Sequence, residues 1–457
     1  MALPELIEIV PLDKPVRAEI TVPGSKSITN RSLILAALAD GEVILEGALW
    51  SEDTQIMAEC LQDLGFMVNV TPDPDEFCNR TITVYGQGGK VPGGGTAENP
   101  LELFVGNAGT AARFLTALVC LGKGVYRLHG VPRMHERPQA ALFQALRELG
   151  YRVDSPNDKL PAVIFGGTRR SRGDETQSSK ESQRLLTSSP TSKVKVSIEE
   201  SSQFASALLL CAKHGGWEVK VVGENDEESP YIEMTKQMCA DRLPSSPEFA
   251  AVQLDASSAS YIWAARWVSD NLSGKTTDSI KVKSWIHFRI RQVDADFPMI
   301  FSQMFDPINR RMTVSRKSEL GDSIMTAIVM APFASHLMQF IDLHPLRVQE
   351  TERVVALRTE LTKCGAKVVE EGDTLTVYPS KLHGAEIETY NDHRMAMCFA
   401  ILGLKVPGIK IKNPACVKKT FPNFFQKLAA PPPNGLGATI LDAKTGRRLK
   451  EEELFAD

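Results

Sequence analysis

Leu61-Gln62-Asp63-Leu64-Gly65-Phe66-Met67-Val68 reads as the end of an amphipathic helix, a glycine, and the start of an alternating strand. The glycine falls where a helix C-terminus needs a left-handed residue, a conformation in which a Cβ would clash. The pattern recurs as Leu146-Arg147-Glu148-Leu149-Gly150-Tyr151-Arg152-Val153 and as Leu361-Thr362-Lys363-Cys364-Gly365-Ala366-Lys367-Val368. Met234–Asp241 and Phe297–Phe305 are weaker copies without the glycine. One such junction is common in any α/β chain and decides little. Its return along the chain predicts an internally repeated α/β fold.

A second series runs between these junctions. Six small or polar clusters open into Ala- and Leu-rich helical runs. They are Ser25-Lys26-Ser27, Gly106-Asn107-Ala108-Gly109-Thr110, Ser201-Ser202-Gln203, Asp255-Ala256-Ser257-Ser258, Gly321-Asp322-Ser323 and Asn391-Asp392-His393-Arg394. Ser, Asp and Asn accept the free N–H groups of a first helical turn, so each cluster predicts a helix start. Helix starts carry about half a positive charge and suit anions. Lys26, Arg31, Arg113 and Arg394 add cations in the first turns. Together they predict a fold that gathers helix N-termini around an anionic ligand. The repeating unit reads strand, capped helix, strand, second helix, Gly, strand.

The 457 residues suffice for two or three domains with full cores. Charged residues at 24% and hydrophobic ones at 43% are ordinary for a soluble globular protein. A net charge of −4 argues against a nucleic-acid partner and makes the motif cations local, suited to a small polyanion. Cys60, Cys78, Cys120, Cys211, Cys239, Cys364, Cys398 and Cys416 lie scattered with no C-x-x-C pair, and read as reduced core thiols. No apolar run approaches the ~20 residues that span a bilayer, and the N-terminus has neither a basic n-region nor an h-region. A cytoplasmic protein with no membrane partner is expected, and a processed organellar form would read the same. No H-E-x-x-H, EF-hand or Cys/His cluster supports a metal. Thr168–Ser192 reads as a mobile Ser- and Arg-rich surface insertion, and Gly86–Gly95 as a loop. The segment after Leu428, residues 429–457, reads as a linker or appendage.

The sharpest motif is Pro23-Gly24-Ser25-Lys26-Ser27-Ile28-Thr29-Asn30-Arg31, whose Lys26 and Arg31 stand about one helical turn apart and could share an anion. Its bland reading is a capped helix with solvated cations. Gly130-Val131-Pro132-Arg133-Met134-His135-Glu136-Arg137-Pro138 sets two arginine forks in a turn before a helix. Arg347-Val348-Gln349-Glu350-Thr351-Glu352-Arg353 alone would be a salt-bridged surface. Tyr390-Asn391-Asp392-His393-Arg394-Met395-Ala396-Met397 places His393 and Arg394 at a helix start, where a lone His is more often structural than catalytic.

These segments, with Asp255–Tyr261, Asp322 and Lys419-Thr420-Phe421-Pro422, resemble the enolpyruvyl transferase family in its branch that acts on shikimate 3-phosphate. They run in the family's order over residues 4–428. The resemblance implies a two-domain inside-out α/β barrel of six βαβαββ-type units. One domain would be 1–23 plus 251–428 and the other 24–250, with helix N-termini facing an interdomain cleft. It implies transfer of the enolpyruvyl group of phosphoenolpyruvate to the 5-hydroxyl of shikimate 3-phosphate with release of phosphate, in aromatic amino acid biosynthesis. It implies no cofactor and no metal, and a monomer is expected. Phosphoenolpyruvate would meet Lys26, Gly109, Arg133, Arg137, Gln203, Arg353, Arg394 and Lys419. In this family glyphosate occupies the same place. Shikimate 3-phosphate would meet Lys26, Ser27, Arg31, Ser201, Ser202, Gln203, Asp322 and Gln349. Asp322 is the candidate base, with Glu350 and Lys26 as candidate proton handlers.

Three acceptor-side positions depart from the family pattern. Gln349 stands where the family has Lys, Pro345-Leu346 replaces Asn-Trp, and Glu228 stands where a phosphate-binding Ser is expected, with Ser229 one step displaced. Residues Lys275–Gln303 also match the family poorly. Two function classes stay open on the sequence: a working synthase, with or without a modified acceptor, and an anion-binding regulatory homologue without turnover.

Overall fold

All three helix–Gly–strand junctions form. Gly65, Gly150 and Gly365 have φ of +88°, +92° and +89°. Each glycine N–H donates to the carbonyl three residues back (Gln62, Arg147, Thr362) at 2.8–2.9 Å. The next N–H reaches back to Leu61, Leu146 or Leu361 at 3.0 Å. This pair of bonds satisfies the last carbonyls of the helices Glu52–Asp63, Ala140–Glu148 and Arg353–Lys363, and turns the chain into a strand.

The computed structural model describes residues 3–167, 192–223, 229–240, 249–274, 279–285, 292–306, 308 and 311–456. The expected insertion, apart from Ser192, and Glu228 lie outside these residues. The chain divides into two compact units, one of Met1–Gly24, Pro74–Cys78 and Gln253–Asp457, the other of Ser25–Asp73 and Asn79–Val252. Each has its own buried apolar core.

One ladder recurs through the sheets. Leu101–Phe104 pairs parallel with Val125–His129, which pairs antiparallel with Ala162–Phe165, itself antiparallel to Arg152–Asp154. Thr313–Ser315, Met338–Ile341, Thr374–Val377 and Val368–Glu371 repeat the order. Phe249–Ala251, Asp40–Leu49, Asn79–Gln87 and Met67–Pro72 repeat it again. A fourth copy joins Glu386–Ile387 and Ile409–Lys412 to strands from both chain ends, Leu6–Ile9 and Ile440–Asp442. Two parallel pairs, Lys193–Ser197 with Glu218–Val222 and Ala18–Ile20 with Ile280–Val282, hold the opening of the same ladder. Among the described residues six sheets therefore answer to six repeats.

The final segment corrects the expectation of an appendage. Ile440–Asp442 pairs with Leu6–Ile9, and Leu436, Ala438, Ile440, Leu449, Leu454 and Ala456 are buried in the core of the first unit. Isolated apolar residues among prolines and charges hide this role in sequence, because no run or period marks them. Arg447 grips Glu453 at 2.9 and 2.8 Å beside them.

All six predicted helices exist: α1 (Lys26–Leu38), α2 (Gly109–Val119), α3 (Ser202–Gly215), α4 (Ala256–Ser273), α5 (Ile324–Met330) and α6 (His393–Gly403). In one unit α1, α2 and α3 pack against one another, and in the other α4, α5 and α6 do. Every residue of α5 is buried, and all of α2 except Thr110. Helices that are apolar all round are stable only as such cores. Seven cysteines are buried outside any disulfide, while Cys239 is exposed, which departs from the all-core reading. Among the described residues no helix is long and apolar enough to cross a membrane.

Candidate active site

The helix starts divide into two kinds. In the second unit α1 and α2 begin at Ser25 and Ala108 without a side-chain cap, and α3 is capped by the Ser201 hydroxyl, 3.2 Å from Gln203 N. In the first unit carboxylates do the capping. Asp255 accepts from Ser258 N at 2.9 Å at α4, and Asp392 from Arg394 N at 2.9 Å at α6. At α5 the cap comes from a distant residue: buried Asp294 accepts from Gly321 N at 2.7 Å, Ser323 N at 3.2 Å and the Ser323 hydroxyl at 2.5 Å. A fixed negative charge on a helix start answers the dipole internally. The expectation that all six starts serve an external anion is therefore corrected. The starts of α4, α5 and α6 are occupied by carboxylates, and arginines supply the positive field in that unit.

Around α2 the second unit sets two arginines side by side. Arg113, buried, donates to Gln203 Oε1 at 3.2 Å and to the Pro138 carbonyl at 3.0 Å. Arg137 donates to the Asn107 carbonyl at 3.2 Å. Both guanidinium groups lie against Gly109, where a Cβ would stand 2.4 Å from Arg113 Nη1 and 2.6 Å from Arg137 Nη2. Only glycine lets the two forks close over the helix start. Burial first and Arg137 second push the Arg113 pKa well down, against a smaller opposing pull from Glu200. An arginine stays charged in practice, so this penalty favours an incoming anion that relieves it.

Lys26 lies 3.1 Å from Asp53, at the start of the neighbouring helix. Arg31 is buried and donates to Thr235 Oγ1 at 2.8 Å, to the Ser27 carbonyl at 2.9 Å and to Ser206 Oγ at 3.1 Å. The two cations thus have separate partners. Arg133 is exposed and paired with Glu136 at 2.5 Å, unlike Arg137 on the same turn. Ser201, Ser202 and Gln203 open α3, where Gln203 meets Arg113. Ser229 opens the helix Ser229–Ala240, but its side chain lies outside what is described.

In the first unit Asp322 is the hub. Its Oδ2 faces Arg394 Nε at 3.0 Å and Arg353 Nη1 at 3.7 Å; its Oδ1 faces Arg316 Nη2 at 3.2 Å and Gln349 Nε2 at 3.4 Å. The Arg394 contact is electrostatic, since its Nε lacks a well-aligned acceptor. Arg353 is 1% exposed and held by Asp392 at 2.7 and 3.2 Å and by Glu350 at 2.9 Å. Glu350 also binds Lys419 Nζ at 2.9 Å. Burial alone would raise the Asp322 carboxyl, but Arg394, Arg353 and Arg316 outweigh it and hold it well below the usual carboxylate range. Burial, then Arg394, push His393 well below the ordinary imidazole value, so it is neutral at physiological pH.

The structure thus brings Asp322, Gln349, Glu350, Arg353, Arg394 and Lys419 into one network, and Gly109, Arg137 and Gln203 into another. Arg347, from the same motif as Arg353, serves a surface network with Glu352, Glu370 and Asp373 at 2.8–2.9 Å. Pro345 sits in the short turn His344–Val348. Sequence reasoning missed Arg316, Asp294 and Asp53. Arg316 stands in Ser315-Arg316-Lys317-Ser318, which carries no motif, and Asp294 lies in the segment that matched the family poorly. Among the described residues no group of His, Cys, Asp and Glu could hold a metal ion.

Solved structures with this fold include the EPSP synthase of Acinetobacter baumannii, at TM-score 0.66 and 20% identity over 92% of this chain and 96% of that one. The enolpyruvyl transferase NikO of Streptomyces tendae aligns at TM-score 0.63 and 14% identity, over 98% and 99%. The fold is therefore that of the enolpyruvyl transferases. The sequence profile of EPSP synthase (3-phosphoshikimate 1-carboxyvinyltransferase) matches residues 11–241 and 248–428. Curated 3-phosphoshikimate 1-carboxyvinyltransferases are similar over nearly the whole chain. That of Trichormus variabilis is 34% identical over 443 residues, 93% of this chain and 98% of the relative. That of Opitutus terrae is 35% identical over 463 residues, 94% and 98%. The chain belongs to the EPSP synthase family.

Proposed function

We infer that this protein transfers the enolpyruvyl group of phosphoenolpyruvate to the 5-hydroxyl of shikimate 3-phosphate and releases inorganic phosphate. The observation that carries the reading is the pair of charge clusters within a full-length family match. One has two guanidinium groups over an uncapped helix start, and the other a carboxylate ringed by arginines. Addition joins the hydroxyl oxygen to C2 of the enolpyruvyl group as a proton reaches its methylene carbon. Elimination then removes a proton from that carbon and expels phosphate.

Arg113, Arg137 and the start of α2 at Gly109 suit the phosphate and carboxylate of phosphoenolpyruvate, with Lys26, Gln203, Arg353, Arg394 and Lys419. Ser27, Arg31, Ser201, Ser202 and Gln349 are assigned to shikimate 3-phosphate, as are Lys26, Gln203 and Asp322. Asp322, kept ionised by its arginines, accepts the hydroxyl proton. An anionic substrate that draws those arginines toward itself weakens their hold and makes the carboxylate more basic when it is needed. Glu350, tied to Lys419 and Arg353, and Lys26 move the proton at the methylene carbon. A monomer is the expected working form.

Phosphate release from phosphoenolpyruvate with and without shikimate 3-phosphate tests the reading. Release that requires both substrates is expected. Binding of both without release would make the protein an anion-binding homologue without turnover.

A further inference from the structure

We propose that Arg316 is a positioning residue for Asp322, and that its charge is what allows a neutral amide to stand at Gln349. The proposal rests on the reaction assigned above. Arg316 Nη2 and Gln349 Nε2 converge on one oxygen, Asp322 Oδ1, at 3.2 and 3.4 Å. The Arg316 side chain is 4% exposed, so solvent screens its charge little at the carboxylate. It follows the strand Thr313–Ser315, six positions before Asp322 in the chain, and no sequence motif contains it.

Arg353 and Arg394 hold other groups besides Asp322. Arg353 is bound to Asp392 and Glu350, and Arg394 reaches the Tyr261 hydroxyl at 3.5 Å. Both are assigned to phosphoenolpyruvate, and a bound anion would draw their charge from Asp322. Arg316 meets the Oδ1 side, is assigned to neither substrate, and so keeps its hold through the catalytic cycle. It fixes the carboxylate's rotamer and keeps it ionised while its partners turn to substrate.

The geometry at Gln349 explains the amide. Gln349 Oε1 accepts from Arg353 Nη1 while its Nε2 faces Asp322. This orientation is forced, since the flipped amide would point N–H groups at a guanidinium and oxygen at a carboxylate. An ammonium at this position would replace the acceptor of Arg353 with a like charge. It would also add a fourth cation to a carboxylate that already has three. A cation at 316 and an amide at 349 therefore belong together.

The groups that set the charge of Asp322 are Arg394 on α6, Arg353 on the helix Arg353–Lys363, Arg316 on its turn, and Glu350 in opposition. Removing Arg316 raises the Asp322 pKa. Adding a cation at 349 in that background lowers it again.

The test uses the full chain with Arg316→Met, Arg316→Lys, Gln349→Lys and the Arg316→Met/Gln349→Lys double variant. Asp-selective ¹³C labelling, with Asp322→Asn to assign the signal, reads the carboxyl titration directly. Steady-state kinetics read both substrates. Arg316→Met is expected to raise the carboxyl pKa and move the acidic limb of kcat/KM upward. Misplacing the Asp322 carboxylate should lower kcat/KM for shikimate 3-phosphate about tenfold to a hundredfold, with KM for phosphoenolpyruvate within about twofold. Arg316→Lys and the double variant should recover much of both effects. Gln349→Lys alone should weaken use of shikimate 3-phosphate, and it tests the pairing even if Arg316→Met fails to fold. An unmoved carboxyl titration in Arg316→Met, a double variant no better than the single, or a Gln349→Lys enzyme improved with Arg316 in place would each overturn the proposal. Absent wild-type turnover would overturn the assigned reaction, while the titration would still decide the role of Arg316.

Discussion

Gly109→Ala gives the most direct test of the anion site on α2. The Gly109 backbone lies in an ordinary helical region, so alanine brings no torsional strain. The added Cβ would stand 2.4 Å from Arg113 Nη1 and 2.6 Å from Arg137 Nη2. Ordinary contact begins near 3.4 Å, so each guanidinium must retreat by roughly 1 Å. That is enough to break a charge-assisted hydrogen bond, which loses strength steeply with distance and angle. Loss of one such bond, about 1.5–3 kcal/mol, weakens an anion about tenfold to a hundredfold. Stability should fall by about 1–3 kcal/mol, because the displaced guanidinium groups loosen their bonds to Gln203, Pro138 and Asn107. Steady-state kinetics should show KM for phosphoenolpyruvate raised by that factor, KM for shikimate 3-phosphate little changed, and inhibition by glyphosate weakened in parallel. A KM for phosphoenolpyruvate within twofold of wild type would refute the placement of the ligand over Gly109. Equal losses on both substrates would point to general damage instead.

The sequence alone makes Lys26 a solvated cation of little structural value, but its partner Asp53 is nearly buried. Lys26→Met should therefore abolish turnover and also cost about 1–3 kcal/mol; in urea titrations Lys26→Met/Asp53→Asn should regain the stability without the activity. Asp392→Asn removes charge from a buried pair and weakens the cap on α6, so chemical denaturation should show a loss of about 3–5 kcal/mol. Asp322 is depressed in the folded state, so its ion pairs stabilise fully above the unfolded value near 3.9 and are lost as pH falls below it. Asp322→Asn should then destabilise at pH 7 far more than near pH 2, and lower kcat by about 10²–10⁴ with phosphoenolpyruvate still bound. Wild-type kcat/KM should show no Asp322 limb between pH 5 and 8.

The repeat was legible because its signals are local. A glycine at a helix end and a hydroxyl or carboxylate at a helix start act within a few residues, so Gly65, Gly150 and Gly365 announce themselves in the chain. The six helices follow from the same short-range rules. The motif cations were visible as residues but not as partners. Arg31 and Lys26 look paired by spacing, yet Thr235, Ser206 and Asp53 come from distant segments to take them. Arg347 and Arg353 share one motif and go to opposite fates, surface network and buried hub.

Sequence by itself determined the α/β repeat, the helix starts and the family, since each rests on local geometry or on motif order. Tertiary structure alone decided which charges are neutralised. Electrostatics depends on distance through space, and only folding brings Asp294 to the start of α5 and Arg316 and Gln349 to one oxygen of Asp322. It also decided the closure of the last repeat. The strand Leu6–Ile9 lies between Ile409–Lys412 and Ile440–Asp442, a pairing of both chain ends that no local pattern encodes.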